Sequence, residues 1–269
     1  MKKWLFILLA FTACKKENTG TNTTSKYIST VFEYKPAPGQ FVNTSIGDSA
    51  AAQKLVGNTE NVLTLGAFGG YVVFGFDHGV SKFGIYSNTI ESLSEPGIVM
   101  VSQDVNGNGL PDDAWYTIAG DQYTNAVKNY KITYYNPGGY ADVKWKDNQG
   151  DSGTVSINVY HTQVYYPSFI SARDSMSFTG MKLPATLKDS AGLYINTGFA
   201  YGYADNWTSD YGTSGYNSFD IADAVDDNGN KVTLSSVSFV KVYTGQNSKG
   251  NATIGEISTE IRGAIDLKM

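Results

Sequence analysis

Cysteine and histidine are nearly absent from this chain of 269 residues: Cys14 is the only thiol, and His78 and His161 are the only imidazoles. A single thiol excludes an internal disulfide, and two isolated histidines without a second cysteine argue against a zinc centre. Basic charge is short as well. Lys and Arg number 20 against 25 Asp and Glu, for a net charge of −5. No basic patch stands out, which argues against nucleic acid as a partner. The one apolar run, Trp4 to Phe11, is too short for a good spanning helix. Neither HExxH nor GxSxG occurs. Gly150-Asp151-Ser152-Gly153 spells the core of a serine nucleophile motif, but neither histidine sits in a context to serve it, and it reads as a turn. Helical periodicity is scarce too. Ser49 to Leu55 is the one helix suggested in the first half, with Ala50, Ala51 and Leu55 inward.

The chain does have 19 Tyr and 29 Gly against 7 Pro, a composition suited to strands, tight turns and a partly aromatic surface. Short candidate strands recur at regular spacing. They include Val31–Tyr34, Val62–Leu65, Tyr71–Phe76, Phe83–Tyr86, Ile98–Val101, Trp115–Ile118, Tyr130–Tyr135 and Val143–Trp145. Thr154 to Val159 alternates, which places Val155, Ile157 and Val159 inward. Asp77-His78-Gly79 reads as a turn. Further on come Met176–Phe178, Gly192–Tyr194, Phe199–Tyr201, Phe219–Ile221, Ala224–Val225, Val237–Val242 and Ile257–Ile265. Asp226-Asp227-Asn228-Gly229-Asn230 is a hairpin turn, and Ala204 to Gly215 reads as a long polar and aromatic loop. The pattern predicts an all-β fold, a β-sandwich with long loops, over residues 30–269.

Asp104 to Asp113, DVNGNGLPDD, carries the sharpest chemical pattern. Asp104, Asn106, Asn108 and Asp112 stand at relative positions 1, 3, 5 and 9, with Gly109 at position 6 to close the coil. Alternate side chains of a tight coil offer oxygen to a hard cation, and Leu110 would add its backbone carbonyl. Asp113 lies beside Asp112. Calcium is therefore the expected cofactor, in a bracing role. Position 12 is Trp115 rather than the bidentate Glu of an EF-hand, so the oxygen ring must be completed elsewhere or by water. The alternative is an Asn/Gly/Asp turn between two strands, closed by its own side chains.

The N-terminal segment opens on Lys2 and Lys3, continues through the apolar run and ends at Thr12-Ala13-Cys14, the form of a secretory signal over residues 1–13. Phe11-Thr12-Ala13-Cys14 resembles the lipobox of bacterial lipoproteins, in which the cysteine becomes the first mature residue and carries lipid. Lys15-Lys16-Glu17 loosely resembles the charged tag that directs lipoproteins of the Bacteroides group to the outer surface. Residues 14–29 then read as a polar tether. Removing residues 1–13 leaves 18 basic against 25 acidic groups, about −7.

The blocks VFEYKPAPGQFVN, GAFGGYVVFGFDH, SEPGIVMVSQDVNGNGLPDDAWYTIAG, YADN, FDIADAVDDNGNKVTLSSVSFVKVYTG and ISTEIRGAIDL cover most of residues 31–267. In kind and order they are similar to Bacteroides-type cell-surface lipoproteins with a galactose-binding-like jelly-roll domain. The material between Lys131 and Lys188 departs from a simple jelly roll. The resemblance implies a jelly-roll-like sandwich, lipid-anchored in the outer membrane and facing the exterior. It further implies nutrient capture, of a glycan or a corrinoid, beside an outer-membrane transporter. It also points to Asp205, Asn206 and Asp220 as metal or loop-bracing residues.

Tyr and Trp beside loops favour binding over catalysis, since each offers a flat apolar face with a polar handle. Ten such rings stand in or beside loops, Trp115, Tyr123, Trp145, Tyr165 and Tyr166 among them. The densest stretch, Tyr201, Tyr203, Trp207, Tyr211 and Tyr216, is the expected ligand pocket. The competing account has several of these rings capping the ends of the core. Two other functions stay open: a structural or adhesion protein with a protein partner, and a glycoside-active enzyme. The enzyme would need two of Asp112, Asp113, Asp205, Asp220, Glu256 and Glu260 across a cleft. The reading favoured here is non-catalytic.

Overall fold

The computed structural model describes residues 24–170, 174–190, 192–248 and 253–269. The first strands are β1 (Thr30–Lys35), β2 (Leu63–Thr64), β3 (Tyr71–Val80), β4 (Lys82–Ser87), β5 (Gly97–Ser102) and β6 (Trp115–Ile118). Then come β7 (Val127–Tyr135), β8 (Val143–Asp147), β9 (Ser152–Val155), β10 (Ser175–Lys182), β11 (Leu187–Ser190) and β12 (Leu193–Asn196). The chain ends with β13 (Tyr203–Ala204), β14 (Tyr216–Asp220), β15 (Ala224–Val225), β16 (Val237–Thr244) and β17 (Glu260–Asp266). Two short α-helices, α1 (Ser49–Gln53) and α2 (Ser209–Ser214), complete the inventory with a 3-10 turn at Ile221–Asp223. Among the described residues no helix is long and apolar enough to cross a membrane.

The fold is an all-β sandwich. Its principal sheet has seven strands in the order β1-β3-β16-β5-β6-β15, with β13 added beside β5. A second sheet, β14-β4-β17-β2, lies against it. Alternation decides which side chains meet between them. Val72 and Phe74 of β3, Val99 and Val101 of β5, and Val240 and Val242 of β16 point inward. They meet Phe83 and Ile85 of β4, Phe219 of β14 and Ile261 and Ala264 of β17. Each buried Val, Ile or Phe among them contributes about 1.5–3 kcal/mol relative to exposure.

The segment that departs from a simple jelly roll forms a third sheet, β10-β7-β8-β9, with a core of its own. Tyr130, Ile132 and Tyr134 of β7 alternate inward with Val143 and Trp145 of β8. They pack on Phe68 and Ala37, residues in turns leading to or from the principal sheet. The Tyr134 hydroxyl is buried and donates to the Phe68 carbonyl at 3.0 Å, which ties the third sheet to the sandwich. A hairpin, β11-β12, forms a two-stranded sheet joined to the chain before β5 by a bridge between Asn196 and Leu93.

Local hydrogen bonding redraws several expected elements. Asp77-His78-Gly79 does not turn the chain. β3 runs on to Val80, and a register shift against β16 between Val237 and Phe239 absorbs the polar residues. The alternation after Thr154 stops at Val155. Asn158 is drawn away instead, its N–H donating to the Tyr165 hydroxyl and its amide to Gln40 Oε1, and Val159 is left exposed. Phe199 to Tyr201 is not a strand. The Asn206 side chain takes the place of a neighbouring strand, accepting from the Phe199 N–H at 2.6 Å and donating to its carbonyl at 2.8 Å. The expected loop after Ala204 contains α2, capped by Thr208 accepting from the Tyr211 N–H and closed by Gly215 at φ 77°.

Candidate functional site

The outward faces of the principal strands, the ones alternation turns away from the sandwich core, build a cleft. Lys35 of β1 stands opposite Tyr71 of β3, and Tyr71 opposite Tyr243 of β16. Lys241 of β16 stands opposite Met100 of β5, and Met100 opposite Thr117 of β6. Strand β10 faces this row with Phe178 and Met181 to enclose about 660 Å³. Trp115, Tyr123 and Lys128 and the turn at Asp227–Asn228 complete the rim.

The cleft is both aromatic and cationic. Lys241 Nζ lies 4.0 Å from the Tyr71 ring centroid, and Lys128 Nζ lies 4.0 Å from that of Tyr123. Lys35 Nζ is 5.3 Å from the Phe178 ring. Burial lowers the Lys241 pKa, opposed by the charge of Glu33. Asp227 is the only carboxylate among the described lining residues.

The Asp104–Asp113 segment is the β5–β6 connection, and it delivers Trp115 to the cleft. Its side chains turn in on one another. The Asp104 carboxylate accepts from the N–H groups of Asn108 and Gly109. The side-chain amides of Asn106 and Asn108 donate to opposite oxygens of Asp112, at 3.1 and 2.9 Å. These amides hold the Asp112 carboxyl below its ordinary pKa. Gly107 and Gly109 both adopt positive φ, at 71° and 73°, as the coil requires. The Leu110 carbonyl accepts from the Asp112 N–H, and Asp113 accepts from the Val105 N–H. The oxygen-rich side chains of Asp104, Asn106, Asn108 and Asp112 thus share one small space, with Leu110 and Asp113 closing the loop around it.

A second acidic cluster lies inside the fold, with Asp205 and Glu260 buried and Glu95 half-buried. Glu95, just before β5, Asp205, just after β13, and Glu260, at the start of β17, bring one carboxylate oxygen each to within 4.8 Å of one another. The Ser258 N–H donates to Glu95, the Glu260 N–H to Asp205 Oδ2, and the Thr64 hydroxyl to Glu260. Burial, then the neighbouring carboxylates, pushes the Glu95 and Asp205 pKa values well up, and burial raises that of Glu260. Glu256, another buried acid nearby, is pushed up to about 7, chiefly by burial.

Of the five aromatic residues expected to form a pocket, Trp207 and Tyr211 pack on each other and the other three lie in other surroundings. Tyr203 is buried beside Ile98 and Tyr243, and its hydroxyl accepts from the Gln122 N–H. Tyr211 is buried, donates to the Ser87 carbonyl and packs on Trp207. Tyr216 packs on Tyr86, and Tyr201 is 60% exposed. None of the five lines the 660 Å³ cleft. Of the loop aromatics read from the sequence, Trp115 and Tyr123 do. Tyr71, Lys241 and Tyr243 were not singled out, although they alternate with core residues and so had to face away from the sandwich. Asn206 is wholly buried and bonded to Phe199, Asp220 caps the 3-10 turn through the Ala222 N–H, and Glu95 carried no signal beyond its SEPG block. Cys14 and residues 1–23 lie outside the described residues.

No protein-family model matches this chain, and no curated protein matches its sequence.

Proposed function

We propose that this protein is a ligand-binding lipoprotein of the outer cell surface, and that its ligand, a glycan or another ring-bearing nutrient, lies in the cleft between the principal and third sheets. The observation that carries this reading is the cleft itself. It has five aromatic rings, Tyr71, Trp115, Tyr123, Phe178 and Tyr243, with three lysines among them. Aromatic faces suit the apolar faces of sugar rings, and ammonium groups suit carboxylate, sulfate or phosphate substituents. A lining with a single carboxylate favours holding a ligand over cleaving a glycosidic bond, which calls for two. Anchoring through lipid on Cys14, with hand-over to an outer-membrane transporter, belongs to the same proposal and rests on the N-terminal sequence.

Calcium in the Asp104–Asp113 loop has a defined part in this reading. Asp104, Asn106, Asn108 and Asp112 supply hard oxygen ligands, the Leu110 carbonyl adds one, and water completes the shell. The ion stiffens the β5–β6 connection and so fixes Trp115 at the rim.

The test is calorimetric titration of the full-length protein with a panel of neutral glycans, acidic glycans and corrinoids. An acidic glycan is expected to bind most tightly. Trp115→Ala is expected to weaken that binding by roughly 10–30-fold, the effect of removing one ring from a buried contact. Lys241→Met is expected to abolish the preference for acidic over neutral chains. Binding that ignores both substitutions overturns the assignment of the cleft.

A further inference from the structure

Three converging acids, two of them buried and Glu95 half-buried, need a partner, and the protein provides none of opposite charge. Among the described residues, none of Glu95, Asp205 and Glu260 forms an ion pair with Lys, Arg or His. Arg262, two residues beyond Glu260 on β17, pairs with none of them. Asp205 and Glu260 are 1% and 3% exposed. The hydrogen bonds that reach the cluster leave an oxygen over. Asp205 Oδ2 accepts from the Glu260 N–H, while Asp205 Oδ1 is buried without a hydrogen-bond partner. The same holds at Glu256, whose Oε1 accepts from the Gln40 N–H while its buried Oε2 has no partner. A buried acceptor without a donor costs about 1–3 kcal/mol, and more when it is charged. The protein tolerates at least one inside a cluster that already repels itself.

We propose that Glu95, Asp205 and Glu260 form a calcium site inside the fold, separate from the Asp104–Asp113 loop. The chemistry of the donors selects the ion. Each carboxylate brings one hard oxygen to the cluster, and its second oxygen can turn bidentate, toward the six to eight that calcium takes in flexible geometry. Magnesium demands near-ideal octahedral geometry and keeps several of its own waters, for which a cluster with two buried acids leaves little room, and zinc prefers nitrogen and sulfur. Position in the fold gives the ion its task. Glu95 and Asp205 belong to the β5–β13 side of the principal sheet, and Glu260 opens β17 of the second sheet. One ion clamps the two layers of the sandwich together. The inference is independent of the cleft and of what the cleft binds.

The experiment isolates this site by disabling the other. Full-length Asp104→Ala protein, which retains all three acids, is stripped with chelator and dialysed against calcium. Bound metal is then counted by mass spectrometry. One calcium per chain is expected, and its loss in the Asp104→Ala, Glu260→Gln double variant assigns it to the cluster. The melting temperature of Asp104→Ala should rise by roughly 5–10 °C when calcium stands about 100-fold above its Kd. No calcium in Asp104→Ala overturns the proposal, as does calcium that persists in the double variant. The sign of the Glu260→Gln effect is a second readout. If the acids merely share protons, removing one charge leaves the melting temperature in calcium unchanged or raises it, which also overturns the proposal. If they hold calcium, it falls. Should the double variant fail to fold, Asp205→Asn in the same background takes its place.

Discussion

His78 shows how a single residue can mislead when read without its neighbours. In sequence it belongs to an Asp-His-Gly turn. In the fold it sits near the end of β3, its Nδ1 2.7 Å from Asp77 and its Nε2 3.0 Å from Asp266 on β17. Burial works against its charge, but the hydrogen bonds to the two carboxylates prevail and hold its pKa above 6.5. The imidazolium therefore stabilises the fold fully below the unfolded value, and that stabilisation is lost as pH rises through the folded value. Melting temperatures across pH should show wild type exceeding His78→Gln most clearly below about pH 6.5. The difference should close as the solution becomes alkaline. A gap that widens with pH would mean His78 is neutral in the fold. Tyr203 teaches the same lesson in reverse. Its place in a Gly- and Tyr-rich stretch suggested a ligand platform, whereas its ring fills core space and its hydroxyl caps the Gln122 N–H.

At the scale of elements, two turns of similar composition behave differently. In the Asp226–Asn230 turn, one Asp226 oxygen accepts from the N–H groups of Asn228 and Asn230, and its other oxygen from the Asn230 amide, so the turn closes on a single carboxylate. In the Asp104–Asp113 loop four oxygen-bearing side chains crowd together with only amides between the carboxylates. Hydrogen exchange followed with and without calcium should separate them. Amides of Asn108, Gly109 and Leu110 are expected to gain about tenfold or more in protection when calcium is restored, about 1.4 kcal/mol of local stabilisation. Those of Asn228 and Asn230 should be unmoved. Equal behaviour in both would return the first loop to a plain turn. Both turns were legible because Asn, Asp and Gly at fixed offsets act on the nearest backbone. Helix α2 was legible in principle, from Thr208 and Gly215, but the aromatic residues around it suggested a pocket instead. The end of β9 was not legible. Asn158 answers to Gln40, 118 positions away, and no local pattern reports a partner so distant.

The whole molecule was half readable. Alternation and strand spacing announce a sandwich, and the segment after Lys131 announces itself as additional. Neither says that this segment folds into a third sheet across the outer face of the first, and the cleft depends on that placement. The same holds for the clustered acids, which come from three distant parts of the chain. Strand β16 gains most from the layering. It is central in the principal sheet, with Val240 and Val242 in the sandwich core and Tyr243 under the third sheet's flank. Its amides from Val240 to Tyr243 should be among the slowest in the molecule to exchange, near the limit set by global unfolding. The β11–β12 hairpin, tied to the rest of the fold mainly through Asn196 at its end, should exchange orders of magnitude faster at Lys188, Asp189 and Leu193. Comparable rates in the two would contradict a layered core centred on β16.

The course of β1 has a mechanical consequence. Residues 24–29 lead into this edge strand at Thr30, and Lys35 at its far end lines the cleft. For a body held from its N-terminal side and tugged through its ligand, tension runs along β1 rather than across it. The antiparallel bonds from Thr30–Gly75 to Lys35–Tyr71 then bear the load side by side, in shear. They must fail together, whereas a strand peeled from one end would release them singly. On the proposed function, a ligand pulled from the cleft would therefore load these bonds in shear.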